Sequence, residues 1–310
     1  MYQVIYKMKE SNRDVSLARI CRLLGITRQA YYQHWQHNEI VNIEQELVIK
    51  QVLQLRKDHR HMGTRKLYEL LQPFLLEHQI KIGRDALFDL LASHKLLVKR
   101  YKRRVSTTDS FHMYRKFPNR IKGFVPRRPN QLWVSDITYW RIQGGGFLYI
   151  SFITDAYSRK IVGYNLAENL LSVQTVNALK MALTTTDDTS FLTHHSDRGL
   201  QYCCNEYLQI LEENNISISM TESSDPRDNA IAERVNGIIK NEYLSSYSVH
   251  DIEEGKQVLD FVIHLYNEER PHMSLGNLTP NSIHEEKAQP EQLWKNYYQR
   301  SPVPAGDLST

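Results

Sequence analysis

A chain of 310 residues is long enough for two or three domains, each burying its own core. At 41% hydrophobic and 24% charged, with 13 Gly and 10 Pro, its composition excludes a disordered, collagen-like or low-complexity protein. No apolar run approaches the roughly 18 residues of a membrane span, and charges interrupt the N-terminal apolar residues as they do not in a signal peptide, so a cytoplasmic or nucleoid-associated protein is expected.

The first predicted elements are helical. Leu17, Ile20 and Leu24 have helical spacing, Gly25 marks a turn, and Thr27 is placed to cap a second helix through Ala30 and Tyr31. A helix, a glycine-containing turn and a helix form the pattern of a helix-turn-helix, although any helical hairpin shares it. Residues 40–58 are amphipathic through Ile43, Leu47, Val52 and Leu55. After Gly63 two more helices are predicted, over 66–76 with a stop around Pro73 and over 84–97 with Ile82, Ala86, Leu90 and Leu91 on one side. Residues 1–40 are thus read as a helix-turn-helix-like region and 41–98 as a helical domain that either reads DNA or acts as a spacer.

A basic linker follows over 99–128. It holds eleven Lys or Arg against the single acid Asp109, a net +10, which leaves the rest of the +4 chain at −6. Such a block is either a local polyanion contact or a solvated, charged connection. Tyr101, Phe111, Tyr114 and Phe117 interleave with the cations and offer stacking surfaces for bases or sugars. Lys102, Arg103 and Arg104 are the densest DNA-contact candidates. The three cysteines, Cys21 and the adjacent Cys203 and Cys204, form neither a disulfide framework nor a zinc spacing and are expected as core fillers in a reducing compartment.

Beyond Pro126 and Pro129 the texture turns to β. Strands are predicted over 132–139, 147–154 and 160–164, the first two joined by Gly144-Gly145-Gly146. A helix over 170–183, a short strand over 191–195, a helix over 202–214, a strand over 216–220 and a long helix over 229–244 complete the run. Three meandering strands, then helix, strand, helix, strand and helix, is the element order of an RNase H-like α/β fold, a five-stranded mixed sheet with helices. It is assigned to 129–245, preceded by the all-α part and followed over 246–310 by a helical region around 258–266 and a tail.

Three acids stand out by position. Asp136 falls among Trp133, Val134 and Ile137 in the first strand, where an ionised carboxylate is costly to bury without compensation. Asp197 closes the fourth strand, where parallel strands deliver ligand-binding groups. At about 100° per residue, Glu233, Asn236 and Lys240 share one side of the last helix, opposite Ile231, Val235, Ile238 and Glu242. Asp228 is placed to cap that helix. Between Asp197 and Glu233 lie 35 residues, enough for the helix, strand and loop that bring the chain back beside the strand end. Three acids of this kind suit two Mg²⁺ or Mn²⁺ ions flanking a phosphodiester. Against this, 35 Asp and Glu are scattered along the chain, and a lone Asp in a strand often serves a turn.

The residues around these acids carry a family resemblance. Trp133-Val134-Ser135-Asp136-Ile137-Thr138-Tyr139, His194-His195-Ser196-Asp197-Arg198-Gly199-Leu200-Gln201-Tyr202 and Asp228-Asn229-Ala230-Ile231-Ala232-Glu233-Arg234-Val235-Asn236-Gly237 resemble the DDE motif blocks of retroviral-integrase-like transposases. The likeness is greatest to the IS-three family of bacterial insertion sequences, the product of its second reading frame. Tyr266-Asn267-Glu268-Glu269-Arg270-Pro271-His272 resembles the family's C-terminal block, and Cys21 to Tyr32 and Met62 to Leu67 its N-terminal ones. Ser224 and Arg227 depart from the Gly and aromatic common there.

The resemblance implies a DNA transposase in which Asp136, Asp197 and Glu233 are both catalytic and metal-holding, with two Mg²⁺ or Mn²⁺ ions per site. It implies binding of the element's terminal inverted repeats, hydrolysis that frees a 3′-hydroxyl, and strand transfer into target DNA. It also implies a homo-oligomer bridging two ends and an upstream-reading-frame protein or fusion as partner. Asn236, Lys240 and Arg198 are further DNA-contact candidates, and His195 is an auxiliary one, for a phosphate or for orienting a metal ligand, with strand-end hydrogen bonding as the alternative. Asp155, in an Asp-Ala-Tyr-Ser-Arg turn setting, is left out of the site, and Tyr266 to His272 are assigned to packing. Two other functions stay open on the residues: a DNA-binding regulator with an unused core, and a nuclease that cuts without joining.

Overall fold

The computed structural model describes residues 1–11, 14–99, 115–222, 226–286 and 288. They form two compact units, one of residues 1–57 and 70–97, the other of 58–69 and the chain from 98 onward.

The first unit is helical. Helix α1 (Tyr2–Ser11) and helix α2 (Leu17–Leu23) pack around Ile5, Ile20, Cys21 and Tyr31. Ser16 caps α2 by accepting from the Arg19 amide. Gly25 turns the chain at φ 72°, and the Thr27 side chain accepts from the Ala30 amide at 3.0 Å to start helix α3 (Arg28–Leu55). Helix α3 runs unbroken for 28 residues, through position 40. Helix α4 (Thr64–Glu77), which belongs to this unit from Leu70 on, does not stop at Pro73 but carries it inside. Proline forfeits one ladder hydrogen bond there, and burial of Leu71 and Leu75 on either side holds the helix together. Helix α5 (Arg84–Ser93) ends the unit, and Val48, Val52, Leu87 and Leu91 are buried with them.

The second unit is built on one sheet. Strands β1 (Leu132–Arg141), β2 (Phe147–Asp155) and β3 (Ile161–Ala167) form an antiparallel meander. Helix α6 (Ser172–Leu183) leads to strand β4 (Thr193–Ser196), which pairs parallel with β1. The helix expected over 202–214 is two, α7 (Leu200–Cys203) and α8 (Asn205–Glu213), because Cys204 is extended at φ −71° and ψ 149°. Strand β5 (Ser217–Met220) closes the order β3-β2-β1-β4-β5, the expected mixed sheet.

Helices cover both faces. One core joins Trp133, Ile153 and Val162 to Val176, Leu179, Tyr207 and Leu211. Gly163 makes this packing close, since a Cβ there would lie 2.8 Å from the Ala182 Cβ on α6. The other core joins Trp140, Ile150 and Phe152 to helix α9 (Ala230–Ile238) and helix α10 (Ile252–His264).

The long helix expected over 229–244 changes character within its length. After α9 it widens into a π turn (Ile239–Tyr243) and then tightens into a 3-10 turn (Leu244–Ser246). Helix α10, capped by Asp251 on the Glu254 amide, ends in a second π turn (Leu265–Glu269), and the short helix α11 (Pro280–His284) follows. The C-terminal block packs as expected. Asn267 accepts from the Ile161 amide and donates to the Ile161 carbonyl, both at 3.0 Å, covering the start of edge strand β3 as a strand would. The Tyr266 hydroxyl donates to the Arg159 carbonyl.

Candidate active site

Strand β4 pairs with β1 only as far as Val134. From Ser135 onward that edge of β1 has no strand beside it among the described residues, and the site is built there. Asn229, at the N-terminal boundary of α9, donates its side-chain amide to the Ser135 carbonyl at 2.9 Å. This satisfies a buried backbone acceptor and pins the start of the helix to the open edge.

Asp136 is the next residue along β1. One of its carboxylate oxygens accepts from the Ile137 amide at 2.8 Å, the other from the Asn236 side-chain amide at 2.8 Å. Asp197 lies one residue past β4, and its Oδ1 accepts from the Gly199 amide at 2.9 Å. A Cβ on Gly199 would stand 3.0 Å from that oxygen, so the turn favours a residue without one. Glu233 lies in the first turn of α9. The carboxyl of Asp136 is pushed up to about 7, first by burial and then by the charge of Asp197, with Glu233 adding to it and the two hydrogen bonds opposing it.

The three acids are therefore within electrostatic reach of one another. Among the described residues, however, no group of three or more His, Cys, Asp or Glu side chains is gathered closely enough to hold a metal ion. The expected ligand trio is coupled but not closed. Mutual repulsion of ionised carboxylates opposes closure until a cation screens it. The donor set nevertheless fits a hard divalent cation: it consists of carboxylate oxygens, and burial beside like charges raises the Asp136 carboxyl.

The other candidates fall into place around this centre. Asn236 is buried and orients Asp136, a role its position on the helix wheel did not reveal. His195 is also buried, and burial lowers it to about 4, so the ring is neutral. Its Nε2 donates to the Asp228 carbonyl at 3.0 Å, which leaves Nδ1 to accept from the Ser219 hydroxyl at 2.9 Å. His195 thus ties β4 and β5 to the turn before α9, the strand-end alternative. Asp228 does not cap α9. It sits in a 3-10 turn (Pro226–Asn229), and the cap position belongs to Asn229, whose amide is engaged by Ser135.

Lys240 lays its ammonium 3.4 Å from the ring centroid of Tyr139, and burial lowers its pKa. Arg198 donates to the Glu222 carbonyl at 3.4 Å. Asp155 is fully buried and accepts from Ser158 and from the Asn130 amide, a turn role. Phe117 is partly buried against the core on the α6 side, and the Arg115 guanidinium lies over its ring, 4.7 Å from the centroid. Lys102, Arg103, Arg104, Tyr101, Phe111, Tyr114 and Ser224 lie outside the described residues.

Two participants were missed in the sequence. Asn229 was in view inside the third block but was not singled out. Tyr202 is buried, and its hydroxyl has no hydrogen-bond partner among the described residues, yet it is electrostatically coupled to Asp197 and Asp136. Burial holds its phenol well above the ordinary range, so it is neutral.

A second carboxylate lies further along the same helical stretch. Glu242 accepts from Arg270 through both oxygens at 2.9 Å and from Lys66 at 2.9 Å. Arg270 and Lys66 hold it down at about 2 against the opposing effect of burial. Lys66 is itself lowered to about 8 despite this ion pair, because burial and the neighbouring Arg270 outweigh the shared carboxylate.

Comparison with known proteins adds the following. Residues 126–226 match the family described as integrase core domain, and residues 214–280 match a second family of the same description. The chain is 35% identical over 270 residues to the 31 kDa protein of insertion element IS600 from Shigella sonnei, covering 86% of this chain and 97% of that one. It is 28% identical over 290 residues to the transposase for insertion sequence element IS629 from Shigella sonnei, covering 90% and 94%. To transposase InsF for insertion sequence IS3A from Escherichia coli it is 30% identical over 165 residues, covering 52% and 56%.

Proposed function

This chain belongs to the IS-three family of insertion-sequence transposases, polynucleotidyl transferases with an integrase core, and on that premise we propose that it cuts and joins DNA through Asp136, Asp197 and Glu233. Its substrates are the terminal inverted repeats of its element and a target duplex. It frees a 3′-hydroxyl at each end and uses it in transesterification, as a homo-oligomer that bridges two ends, alone or with an upstream-reading-frame partner.

One observation carries the reading. Three acids, delivered by a strand, a strand end and a helix, share one electrostatic environment at the open edge of β1, and burial there keeps the Asp136 carboxyl near 7. Asp136, Asp197 and Glu233 are the residues that would hold two Mg²⁺ or Mn²⁺ ions. Such ions stabilise charge on the attacking and leaving oxygens of an in-line displacement. Asn236 orients the Asp136 carboxylate and the Gly199 amide that of Asp197, while Asn229 and His195 fix the start of the helix that carries Glu233. Lys240 and Arg198 supply positive charge for phosphates beside the scissile one, and the basic block over 99–128, with Lys102, Arg103 and Arg104, supplies it for flanking duplex. No described helix is long and apolar enough to cross a membrane.

A strand-transfer assay with labelled element ends and Mg²⁺ tests this. Glu233→Gln is expected to bind the ends as the wild type does and to join none. Equal joining by the two proteins would remove the catalytic assignment.

A further inference from the structure

Two aromatic side chains near the triad are left unexplained by the chemistry above. Tyr139 is 37% exposed and Phe147 is 45% exposed, on neighbouring strands β1 and β2. Their rings meet edge to face, with centroids 5.4 Å apart and planes at 87°. Surface positions on strands readily take polar residues, and an exposed aromatic pair keeps apolar faces in water. Packing of the hairpin alone accounts for one ring edge against the other and leaves a ring face over.

Lys240 rests on that leftover face, 3.4 Å from the Tyr139 centroid. It lies four residues, one helical turn, beyond Asn236, which holds Asp136. Tyr139 is three residues beyond Asp136 along β1, so the strand pleat does not set the two side chains on one face, and the link between the ring and the acid runs through Lys240 and Asn236 on the helical stretch beside them. One helical stretch thus carries Glu233, the amide that holds Asp136 and the cation that covers the Tyr139 ring. A phosphate competes for an ammonium more strongly than a ring face does, because charge-assisted contacts outweigh cation–π ones. When Lys240 turns to a phosphate, the face it covers is released for a flat, polarisable group.

We propose that Tyr139 and Phe147 form a stacking platform for an unpaired nucleobase of the DNA strand whose phosphate is at the triad. The inference rests on the reading of this site as a DNA-joining centre. It adds a base subsite that is sequence-tolerant, since every base has a π face. Lys240 is the gate of that subsite, exchanging the ring for the backbone.

The test uses the full chain without added metal and two element-end duplexes, one fully paired and one with mismatched terminal bases. The wild type is expected to bind the mismatched end about tenfold more tightly, within the range of one stacked base. Tyr139→Ala with Phe147→Ala is expected to lose that preference while keeping its affinity for the paired end, and Tyr139→Phe is expected to retain it. A 5-iodouracil at the terminal position is expected to crosslink to Tyr139 or Phe147. No preference in the wild type, equal weakening on both ends, or crosslinking only elsewhere would overturn the platform. Glu233→Gln keeps the preference if the platform is correct, so a failure of the catalytic assignment shows separately in the joining assay.

Discussion

Two carboxylate sites share one helical stretch and are treated in opposite ways. Glu242 comes with its cations built in, Arg270 through two bonds and Lys66 through a third. Around Asp136 the near charges are other acids, and only amides hold its oxygens. The first arrangement is complete as the chain folds. The second is a cost that folding carries and that a proton or an added cation relieves. Stability rests on Glu242, and the proposed chemistry rests on the trio whose helical member, Glu233, lies nine positions before it.

The largest expected effect lies on the complete site. Glu242→Gln leaves the buried Arg270 guanidinium without its partner, and should lower the unfolding free energy by about 3–5 kcal/mol, read by urea denaturation. Glu233→Gln, by contrast, should leave the midpoint unchanged or raise it. Equal losses for the two variants would erase the distinction between the sites.

Acid pH should separate them next. Glu242 is lowered from 4.5 to about 2 in the folded chain. Its contribution is therefore present above about pH 4.5 and is lost as pH falls toward 2, worth about 3 kcal/mol at 1.4 kcal/mol per unit. Asp136, raised from 3.8 to about 7, has the opposite sign: its cost is absent below pH 3.8 and grows as pH rises through 7. Denaturation midpoints of Glu242→Gln and Asp136→Asn, measured from pH 3 to pH 8, should deviate from the wild type in opposite directions toward the upper end of the range, the first falling below it and the second rising above it, and both should converge on it toward pH 3. Parallel curves would contradict both assignments.

A smaller effect concerns the proton on Asp136. Mn²⁺ binding at pH 7 should release a fraction of a proton in the wild type and none in Asp136→Asn, seen as heats that depend on the buffer's ionisation enthalpy. Smallest is the effect of the orienting amide. Asn236→Ala should weaken Mn²⁺ by about tenfold, with folding otherwise intact.

Much of the fold was legible where local chemistry decides it. Thr27 caps its helix and Gly25 turns the chain as their residue types require, and the alternation of Val, Ile and aromatic residues located five strands. The placement of the acids was legible because Asp136 interrupts an apolar strand, Asp197 ends one and Glu233 lies opposite the apolar side of its helix. What stayed hidden depends on partners far away in sequence. Pro73 sits inside a helix because flanking leucines are buried. Asn236 turned out to hold a carboxylate 100 residues away, and a helical wheel shows sides but not occupants. Asp228 was expected as a cap, but Asn229 took that position once its amide had a carbonyl on β1 to bind. Phe117, counted with the stacking candidates, packs partly on the core and carries Arg115 over its ring, a partnership set by the fold.

The π turn over Ile239–Tyr243 makes chain length itself a constraint. A π turn spends one residue more than an α turn, so deleting one there would let the stretch relax to ordinary helical winding and re-aim the side chains within it, Glu242 included. The guanidinium at 270 would then face a stranger. Side chains in that turn can be exchanged one for another, but the number of residues cannot.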